Sequence, residues 1–360
     1  FKKQNTKRKN LIVIKKVEKK IFIKNKKIKK IYAIFKSIIF KNIKKKDFAL
    51  AVSGGADSLC LVYLSKMYAS EFKNKVHVLI VDHKLRKESK KEANKVKRLL
   101  SKKFIQGKIL NWRGKIPKSN IQRNARNMRY SLISDYCLNK KVKYLLTAHH
   151  LDDQIENFFI RLSRGSGLTG LSSMPESVIY NNDLKIIRPL LSFKKDELKY
   201  VTVNYFKTYI VDPSNKDEKF LRVRIRKYRE IMKKEGLDTN KIIKTINNLL
   251  SADQALNYYK NKALYKYVSF LSENRCLINN KIFFEEAGEI IFKSFSDILS
   301  LVSGTYYPPR SKKILNLINR LKKTKFTKST LGGCIIEKKD STIVIYKESK
   351  VKKMLLHAEK

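Results

Sequence analysis

The sequence has few cysteines, few acidic residues and no long apolar run, and each shortage excludes a class of protein. Its four cysteines are Cys60, Cys137, Cys276 and Cys334, and no two of them form a CxxC pair. Neither a zinc knuckle nor a disulfide framework is indicated, so a reducing, cytoplasmic compartment is expected. No apolar run reaches the ~18 residues that a membrane-spanning helix needs, so a membrane is not a predicted partner.

The shortage of acids leaves a large excess of positive charge. Lysine and arginine number 82 against 31 acidic residues, which gives a formal net charge of +51. Two explanations stand side by side. One is a compositional bias towards lysine, and the other is a polyanionic partner, because Lys and Arg displace the counterions of nucleic acid phosphates.

Residues 1–46 form a lysine-rich lead without the uninterrupted apolar region of a secretory signal. A solvated basic helix is expected there, and the alternative is a segment that targets the protein to an organelle of bacterial origin. From residue 47 the composition changes, and short apolar runs begin to alternate with stretches of helical spacing.

This alternation predicts an α/β fold, in which a twisted parallel sheet carries helices on both faces. Ligands of such sheets bind at the carboxyl ends of the strands. Strands are predicted at 47–52, 76–81, 106–112 and 143–148, and helices at 58–68, 88–100, 120–138, 151–162 and 194–206. The predicted domains are the lead at 1–46, the α/β domain at 47–232, a helical linker at 233–269 and a small α+β domain at 270–360.

A polar turn separates the first predicted strand from the first predicted helix. Its residues are Ser53, Gly54, Gly55, Ala56, Asp57 and Ser58. Glycines let a ligand approach the main chain, and the free N–H groups of a helix's first turn attract an anion. A Walker A loop is excluded because no Gly-Lys-Ser/Thr follows, so pyrophosphate suits the turn better than a kinase-type γ-phosphate. Asp57 would repel bare phosphate, which predicts that Mg²⁺ accompanies the nucleotide.

The run SGGADS resembles the SGGxDS signature of the PP-loop ATP pyrophosphatase superfamily. The resemblance implies an adenine nucleotide alpha hydrolase-like fold and cleavage of ATP to AMP and pyrophosphate, with the AMP activating a substrate oxygen. It places ATP binding on residues 53–58.

Five further segments, in the same order along the chain, are similar to the tRNA(Ile)-lysidine synthase family. They are 81-VDHKLRKESKKEA-93, 120-NIQRNARNMRY-130, 147-TAHHLDDQIENFFIRLSRGSGLTGL-171, 188-RPLL-191 and 212-DPSNKDEKFLRVRIR-226. One departure is Asn157, where the family usually has Thr. The match is weak beyond about residue 230, where 331-LGGC-334 resembles a piece of the family's C-terminal region.

This family resemblance implies a ligase that modifies tRNA. The expected reaction joins the ε-amine of free L-lysine to C2 of the cytidine at the first anticodon position of tRNA(Ile) with a CAU anticodon. ATP first adenylates O2 of the base, and lysine then displaces AMP to leave lysidine, so that the codon read changes from AUG to AUA. ATP, Mg²⁺, lysine and tRNA are the implied ligands, and a homodimer is an alternative to a monomer.

The resemblance assigns lysine binding and catalysis to His149, Asp153 and Glu156. The two acids are spaced i, i+3, so they share one side of a helix and can grip an ammonium group. The alternative is that acids at this helix start only cap it and offset its dipole. His150 is expected to pack structurally.

Further site residues are predicted around this centre. Asp82 and His83 end the second strand, where adenine contacts are expected, although a turn-forming Asp is the alternative. Arg126 matches the family's ARxxRY pattern and is assigned to ATP, whereas Arg129 and the alternating arginines are assigned to tRNA or to a lid. Those alternating arginines are Arg222, Arg224 and Arg226. On a helix they spread round the circumference, so not all three can touch one ligand.

The glycine-rich segment 164–171 is either a mobile lid or a static turn. In the C-terminal domain, Tyr306 and Tyr307 precede a run of basic residues, a combination that suits RNA, although a merely basic surface explains it too. The rival functions are a tRNA thiolase and a non-catalytic RNA-binding relative. The scattered cysteines speak against the first, and the presence of Asp57, Asp153 and Glu156 against the second.

Overall fold

The chain divides into two compact units, residues 1–244 and 245–360, and the hydrophobic cores of one are separate from that of the other. The computed structural model describes residues 25–85, 88–114, 121–172, 174–180, 184–212, 217–305, 308–323 and 325–348, with the side chains of 121–123 excepted. Most of the predicted lead, residues 213–216 and the pair Tyr306–Tyr307 lie outside these ranges. The predicted domain boundaries stay predictions, and the division between the two observed units falls within a continuous helix, Thr239–Tyr267.

The first unit is built on a six-stranded sheet in the order β3-β2-β1-β4-β6-β5. The strands are β1 Phe48–Ala51, β2 Val76–Asp82, β3 Gly107–Asn111, β4 Tyr144–Leu146, β5 Ser177–Tyr180 and β6 Leu184–Ile187. The edge strand β5 pairs antiparallel with β6, whereas the pairs among the other strands are parallel. The predicted parallel sheet is therefore confirmed.

Nine helices are described in or starting in this unit. They are α1 Lys26–Ile43, α2 Ala56–Phe72, α3 Ser89–Ser101, α4 Ile121–Asn139, α5 Leu151–Leu162, α6 Leu168–Leu171, α7 Lys195–Phe206, α8 Leu221–Lys234 and α9 Thr239–Tyr267. Short α6 lies within the glycine-rich segment 164–171, for which a lid or a static turn was expected. The hairpin of β5 and β6 was not predicted, because the six apolar residues of its strands carry too little periodicity to distinguish a strand from a loop.

Alternate residues of β1 face opposite helices, as the period of two along a strand requires. Phe48 and Leu50 join the core that contains α2, whereas Ala49 joins the core that contains Ile133 of α4. The expected covering of both sheet faces by helices is thus confirmed. Helix α2 is apolar almost all round because it is buried between the sheet and α7, where Tyr63 and Tyr205 lie 4.3 Å apart by ring centroids.

Helix α1 corrects the expectation of a wholly solvated basic helix. Its residues at i, i+3 or i+4 spacing are buried, among them Ile28, Phe35 and Ile39 with no exposed surface. Asn25 caps the helix by accepting a hydrogen bond from the Ile28 amide at 3.1 Å. Lysines occupy much of the opposite face. The prediction rested on the high lysine content and did not take the amphipathic spacing of the apolar residues into account.

Strand order reverses between β1 and β4, since β2 and β3 extend to one side of β1 and β4 and β6 to the other. Loops that leave neighbouring parallel strands at such a switch point diverge and open a crevice at the carboxyl end of the sheet. The loop after β1 is 52–55, and the loop after β4 is 147–150. The two segments that carry the predicted site therefore meet in this crevice.

The second unit is a five-stranded antiparallel sheet in the order β7-β8-β11-β10-β9, packed with helices. Its elements are β7 Val268–Ser272, β8 Arg275–Asn279, α10 Ile282–Glu285, α11 Gly288–Ser303, α12 Ser311–Leu321, β9 Lys328–Leu331, β10 Cys334–Lys339 and β11 Thr342–Lys347. Gly332 and Gly333 form the tight β9–β10 turn with φ of 64° and 80°, which explains the LGGC sequence. The predicted small α+β fold is confirmed.

Within the described part of the chain, none of the helices combines the length and the apolar character that crossing a membrane requires.

Candidate active site

The loop after β1 presents the uncapped start of α2 to the crevice. Gly55 is the N-cap residue, and among the described residues no side-chain capping hydrogen bond is made to this helix start. Ser58 instead holds the loop itself, because its Oγ accepts the Gly54 amide at 3.0 Å and donates to the Gly55 carbonyl at 3.0 Å. Uncapped amides at a helix start, with the positive end of the dipole behind them, form an anion site.

Gly54 is required by both backbone and packing. Its φ is +86°, and a Cβ there would lie 2.5 Å from Cγ2 of Val96. Its carbonyl accepts the Ile210 amide at 2.9 Å, and Thr202 Oγ1 of α7 donates to the Ala56 carbonyl at 2.6 Å. These contacts fix the loop's shape without using its first-turn amides.

His150 links the loop after β1 to the acidic start of α5. Its Nε2 lies 3.5 Å from Asp57 Oδ2 and 3.6 Å from Asp153 Oδ2. Burial lowers the pKa of His150, but the carboxylates of Asp57, Asp153 and Asp152 outweigh it, so the pKa is raised overall. The expectation that His150 only packs is therefore incomplete, because the ring sits between both halves of the site.

The acids at the start of α5 do cap the helix. His150 Nδ1 accepts the Asp153 amide at 3.4 Å, and Asp153 Oδ2 accepts the His150 amide at 3.1 Å. Asp152 accepts the Lys195 amide at 2.9 Å and contacts Arg229 Nη1 at 2.5 Å. Burial raises the pKa of Asp152, and these two donors lower it by more, so the carboxylate stays charged. The acids therefore cap the helix, as the capping alternative predicts. The cap uses one Asp153 oxygen and leaves the other for another partner.

Helix α8 covers the acids with arginines. Arg226 donates to both oxygens of Glu156, at 2.5 and 3.1 Å, and Glu156 is only 2% exposed. Arg222 lies 3.5 Å from Glu156 Oε2 and 3.9 Å from Asp153 Oδ1. Arg224 points elsewhere and donates to the carbonyls of Glu218 and Lys219. As the helical spacing predicts, the three arginines do not converge on one point.

The pKa of His149 is lowered, whereas that of its neighbour His150 is raised. Burial lowers the pKa of His149 to about 3, Asp153 opposes this, and Arg126, Arg188 and Arg222 add to it. Thr147 Oγ1 lies 2.9 Å from its Nδ1. The ring is therefore neutral near pH 7 and can exchange hydrogen bonds but not hold a proton there.

Four predicted site residues remain. One of them, Arg126, lies close to His149, and the others are Arg129, Asp82 and His83. Arg126 is exposed, lies close enough to His149 to lower its pKa, and stacks on Tyr130 at 5.1 Å. Arg129 is exposed as well, and the described contacts give it no ion pair with the acids. Asp82 is buried and accepts from Ser89 Oγ at 2.6 Å and from the Lys84 amide at 3.1 Å, while His83 Nδ1 accepts the Leu85 amide. These contacts match the turn-forming alternative, and the ATP role of Asp82 and His83 stays a prediction.

The glycine-rich segment is anchored at its far end. Gln154 of α5 clamps Met174 through both its amide atoms, at 2.7 and 3.0 Å, and Arg161 donates to the Gly170 carbonyl at 2.6 Å. Arg164 and Gly165, by contrast, are exposed. A role of this segment as a lid stays a prediction.

Sequence reasoning missed Arg229, Thr202 and Thr147. Arg229 could have been found, since Arg222, Arg226 and Arg229 recur at i, i+4 and i+7 and share one helix face. Thr202 acts through one hydrogen bond from α7 to the loop after β1, and Thr147 through one contact with His149 in its own loop. No spacing in the sequence signals either residue.

Comparison with known proteins identifies relatives of this chain. The family model described as the PP-loop domain matches residues 24–235. A tRNA(Ile)-lysidine synthase from Wolbachia pipientis wMel is 37% identical over 84% of this chain and 70% of its own length. A protein of the same name from Orientia tsutsugamushi (strain Boryong) is 34% identical over 83% of this chain and 69% of its own.

A solved structure shares the fold. It is the U34-tRNA thiolase NcsA from Methanococcus maripaludis with its 4Fe–4S cluster, at a TM-score of 0.52 and 19% identity, covering 62% of this chain and 79% of that one. Fold and phosphate loop together define an ATP-binding protein of the PP-loop class. Within that class the chain belongs to the tRNA(Ile)-lysidine synthase family, as the sequence motifs predicted.

Proposed function

We propose that this protein ligates the ε-amine of free L-lysine to C2 of the first anticodon cytidine of a CAU-anticodon tRNA(Ile), using ATP. One observation carries the proposal: the anion site at the start of α2 and the acidic start of α5 share one crevice, joined by His150 between Asp57 and Asp153. ATP bound to the first would direct its α-phosphorus towards a nucleobase, and the second would hold lysine.

In the first step, O2 of the cytosine attacks the α-phosphorus, the bond to the β-phosphate oxygen breaks, and pyrophosphate leaves. The amides of Ala56 and Asp57 and the helix dipole stabilise the charge that grows on pyrophosphate. A ring oxygen is a poor leaving group, and its conversion to AMP makes it a good one. The target base must leave its stack, which costs least in a single-stranded loop such as the anticodon.

In the second step, the lysine amine attacks C2, the C2–O2 bond breaks, and AMP departs. Free lysine is protonated at neutral pH, since an amine of this kind has a pKa of about 10.4. A carboxylate must therefore bind the ammonium and take its proton. Asp153 suits this role because Arg226 already neutralises Glu156, whereas Asp153 keeps an oxygen outside the helix cap. His149, neutral in this setting, supplies hydrogen bonds.

Mg²⁺ is the predicted companion of ATP, and one atom fits it. Asp57 Oδ1 is buried and has no hydrogen-bond partner among the described residues. A carboxylate oxygen is a ligand that Mg²⁺ prefers, usually alongside substrate phosphates rather than in an all-protein cage. Asp57 would hold the ion, which when bound neutralises phosphate charge.

The second unit is proposed to hold the tRNA. Helix α12 buries Ile314, Leu317 and Ile318, and its opposite face is basic. That face, the N-cap residue before the helix and the turn after it carry Arg310, Lys312, Lys313, Arg320, Lys322 and Lys323. Regularly exposed lysine and arginine on one helix face suit a phosphate backbone. A homodimer and a cytoplasmic location remain predictions.

The deciding experiment supplies labelled lysine, ATP, Mg²⁺ and a CAU-anticodon tRNA(Ile) transcript. Label is expected in the RNA, with AMP and pyrophosphate formed in equal amounts. The matched control is the same transcript with uridine in place of the first anticodon cytidine, which should stay unlabelled. Sulfur transfer instead of lysine transfer would favour a thiolase, and pyrophosphate release without any RNA product would count against the ligase.

A further inference from the structure

The three arginines that α8 places over the acids of α5 are not equivalent. Arg229 contacts Asp152 at 2.5 Å, and Arg226 holds Glu156 through two hydrogen bonds at 2.5 and 3.1 Å. The nearest approaches of Arg222 are 3.5 Å to Glu156 and 3.9 Å to Asp153. Charge-assisted N–H···O bonds measure about 2.7–2.9 Å, so Arg222 is attracted to both acids but bonded to neither.

The position of Arg222 is the one that a lysine ammonium needs. Its guanidinium lies 3.9 Å from an oxygen of Asp153, to which the proposed function assigns the substrate amine, and 3.5 Å from an oxygen of the neighbouring Glu156. An ammonium is a compact charge that could replace it there. Two cations cannot share this space without repulsion, so one must leave when the other binds.

We propose that Arg222 is an internal competitor for lysine, held between Asp153 and Glu156 until the substrate amine displaces it. Arg226 is the permanent partner of Glu156 and remains in place. This inference rests on the proposed function, because it takes the acid pair as the lysine site. Its consequence is a specificity device: a ligand without a cationic end has nothing with which to displace the arginine.

Hydrogen bonding explains why Arg222 leaves rather than Arg226. The two arginine side chains are similarly exposed, at 44% and 33%, but only Arg226 is hydrogen-bonded to Glu156, which is 3% exposed. An exposed, loosely placed ion pair contributes little free energy, whereas removal of the hydrogen-bonded partner of a buried carboxylate leaves an uncompensated charge. Arg222 can therefore turn into water at small cost, and Arg226 cannot.

The test is titration calorimetry of L-lysine into the full-length protein, wild type against Arg222→Gln. Loss of a competitor should lower the lysine Kd about three- to fivefold, as expected for removing one exposed ion pair. Arg222→Ala should give the same direction with a shorter side chain. Lys227→Gln is the matched control: it removes a charge from the same helix, where Lys227 pairs with exposed Glu218, and it should leave the Kd unchanged.

A fourth variant distinguishes failure of the competitor proposal from failure of the proposed function. Asp153→Asn should weaken lysine binding at least tenfold if the acid pair is the lysine site. If it does so while Arg222→Gln and Arg222→Ala leave the Kd unchanged or raise it, the competitor proposal is wrong and the proposed function stands. If Asp153→Asn binds lysine like the wild type, the lysine site itself is misplaced.

Discussion

Both units bury an acid–cation contact between helices, and they treat the carboxylates differently. In the second unit, Lys293 of α11 contacts Asp253 Oδ1 of α9 at 2.7 Å, and Asn257 donates to the other oxygen at 3.0 Å. Both oxygens have partners, and both charged residues are less than 10% exposed. In the first unit, Asp57 Oδ1 is buried without a described partner, and Asp153 keeps an oxygen beyond its cap.

This difference separates a structural ion pair from a binding site. Buried carboxylates normally satisfy both oxygens, so an oxygen left over points to a ligand that completes it. The second unit has a closed pair that stabilises the fold, and the first has an open cluster in a crevice at a strand switch point. The following predictions test this contrast, from the largest expected effect to the smallest.

Breaking the closed pair should cost the most. Lys293→Met leaves Asp253 buried and uncompensated, and the unfolding free energy of the second unit should fall by about 3–5 kcal/mol. Urea unfolding can resolve the units, because the single tryptophan, Trp112, lies in the first one. Far-UV circular dichroism should lose amplitude at lower urea than Trp112 fluorescence changes.

The control for this prediction replaces both partners. Lys293→Met combined with Asp253→Leu removes the pair without an unpaired charge, and most of the lost stability should return. An unchanged midpoint in the single variant would mean that the pair is solvated and not closed.

Removing the charge of Asp153 from the acidic cluster of the first unit should lower the rate of lysine transfer and leave the stability largely unchanged. Asp153→Asn keeps an oxygen that can accept the His150 amide but loses the charge for the ammonium. Lysine transfer to tRNA should fall at least about 100-fold, equivalent to about 2.7 kcal/mol of transition-state stabilisation, while ATP binding persists.

The neighbouring acid provides the comparison. Asp152→Asn weakens the contact with Arg229 and the Lys195 amide, so it should lower stability while measurable transfer remains. Wild-type transfer by Asp153→Asn would remove Asp153 from the proposed mechanism.

The pH dependence near neutrality should arise in the first unit, because the described residues of the second contain no histidine. His149 titrates at about 3 in the fold against 6.5 ordinarily, so the unfolded chain binds its proton first as the pH falls. Between pH 6.5 and pH 5 this residue should cost about 1–2 kcal/mol of unfolding free energy. His149→Gln should therefore flatten the loss of stability on acidification.

His150 should act in the opposite sense. Its pKa is raised, so its stabilising contribution is complete below its ordinary value of 6.5 and is lost as the pH rises through the higher folded value. His150→Asn, which keeps a helix cap, should steepen the acid loss in denaturant titrations. Shifts of the same sign in both variants would contradict the assigned environments.

The smallest effect concerns helix ends. Helix α11 of the second unit ends on Gly304 in the left-handed region, whereas α7 of the first ends there on Lys207, with φ of 66°. Lys207→Gly should raise the unfolding free energy by about 0.5–1 kcal/mol, because glycine adopts this conformation without strain. Lys199→Gly in the exposed interior of the same helix should lower it by about 1 kcal/mol. A loss of stability in both would show that Lys207 contributes by another contact.

The parallel sheet and its phosphate loop were predictable because they rest on local signals. Alternating apolar runs marked β1, β2, β3 and β4, and glycines before an acid and a serine marked the uncapped start of α2. The buried face of α1 and the hairpin of β5 and β6 were not predictable in the same way. Lysines dominate the composition of α1, and the hairpin strands are only four residues each.

Sequence alone determined the family and the fold class, since those follow from residue order and spacing. Tertiary structure decided which of the predicted side chains meet and which contacts each one makes. It turned His150 from a packing residue into the link between Asp57 and Asp153, and it gave adjacent histidines opposite pKa shifts. It also set Arg226 on Glu156 and left Arg222 loose. Distances and burial fix electrostatic energies, and both depend on residues brought together from distant parts of the chain.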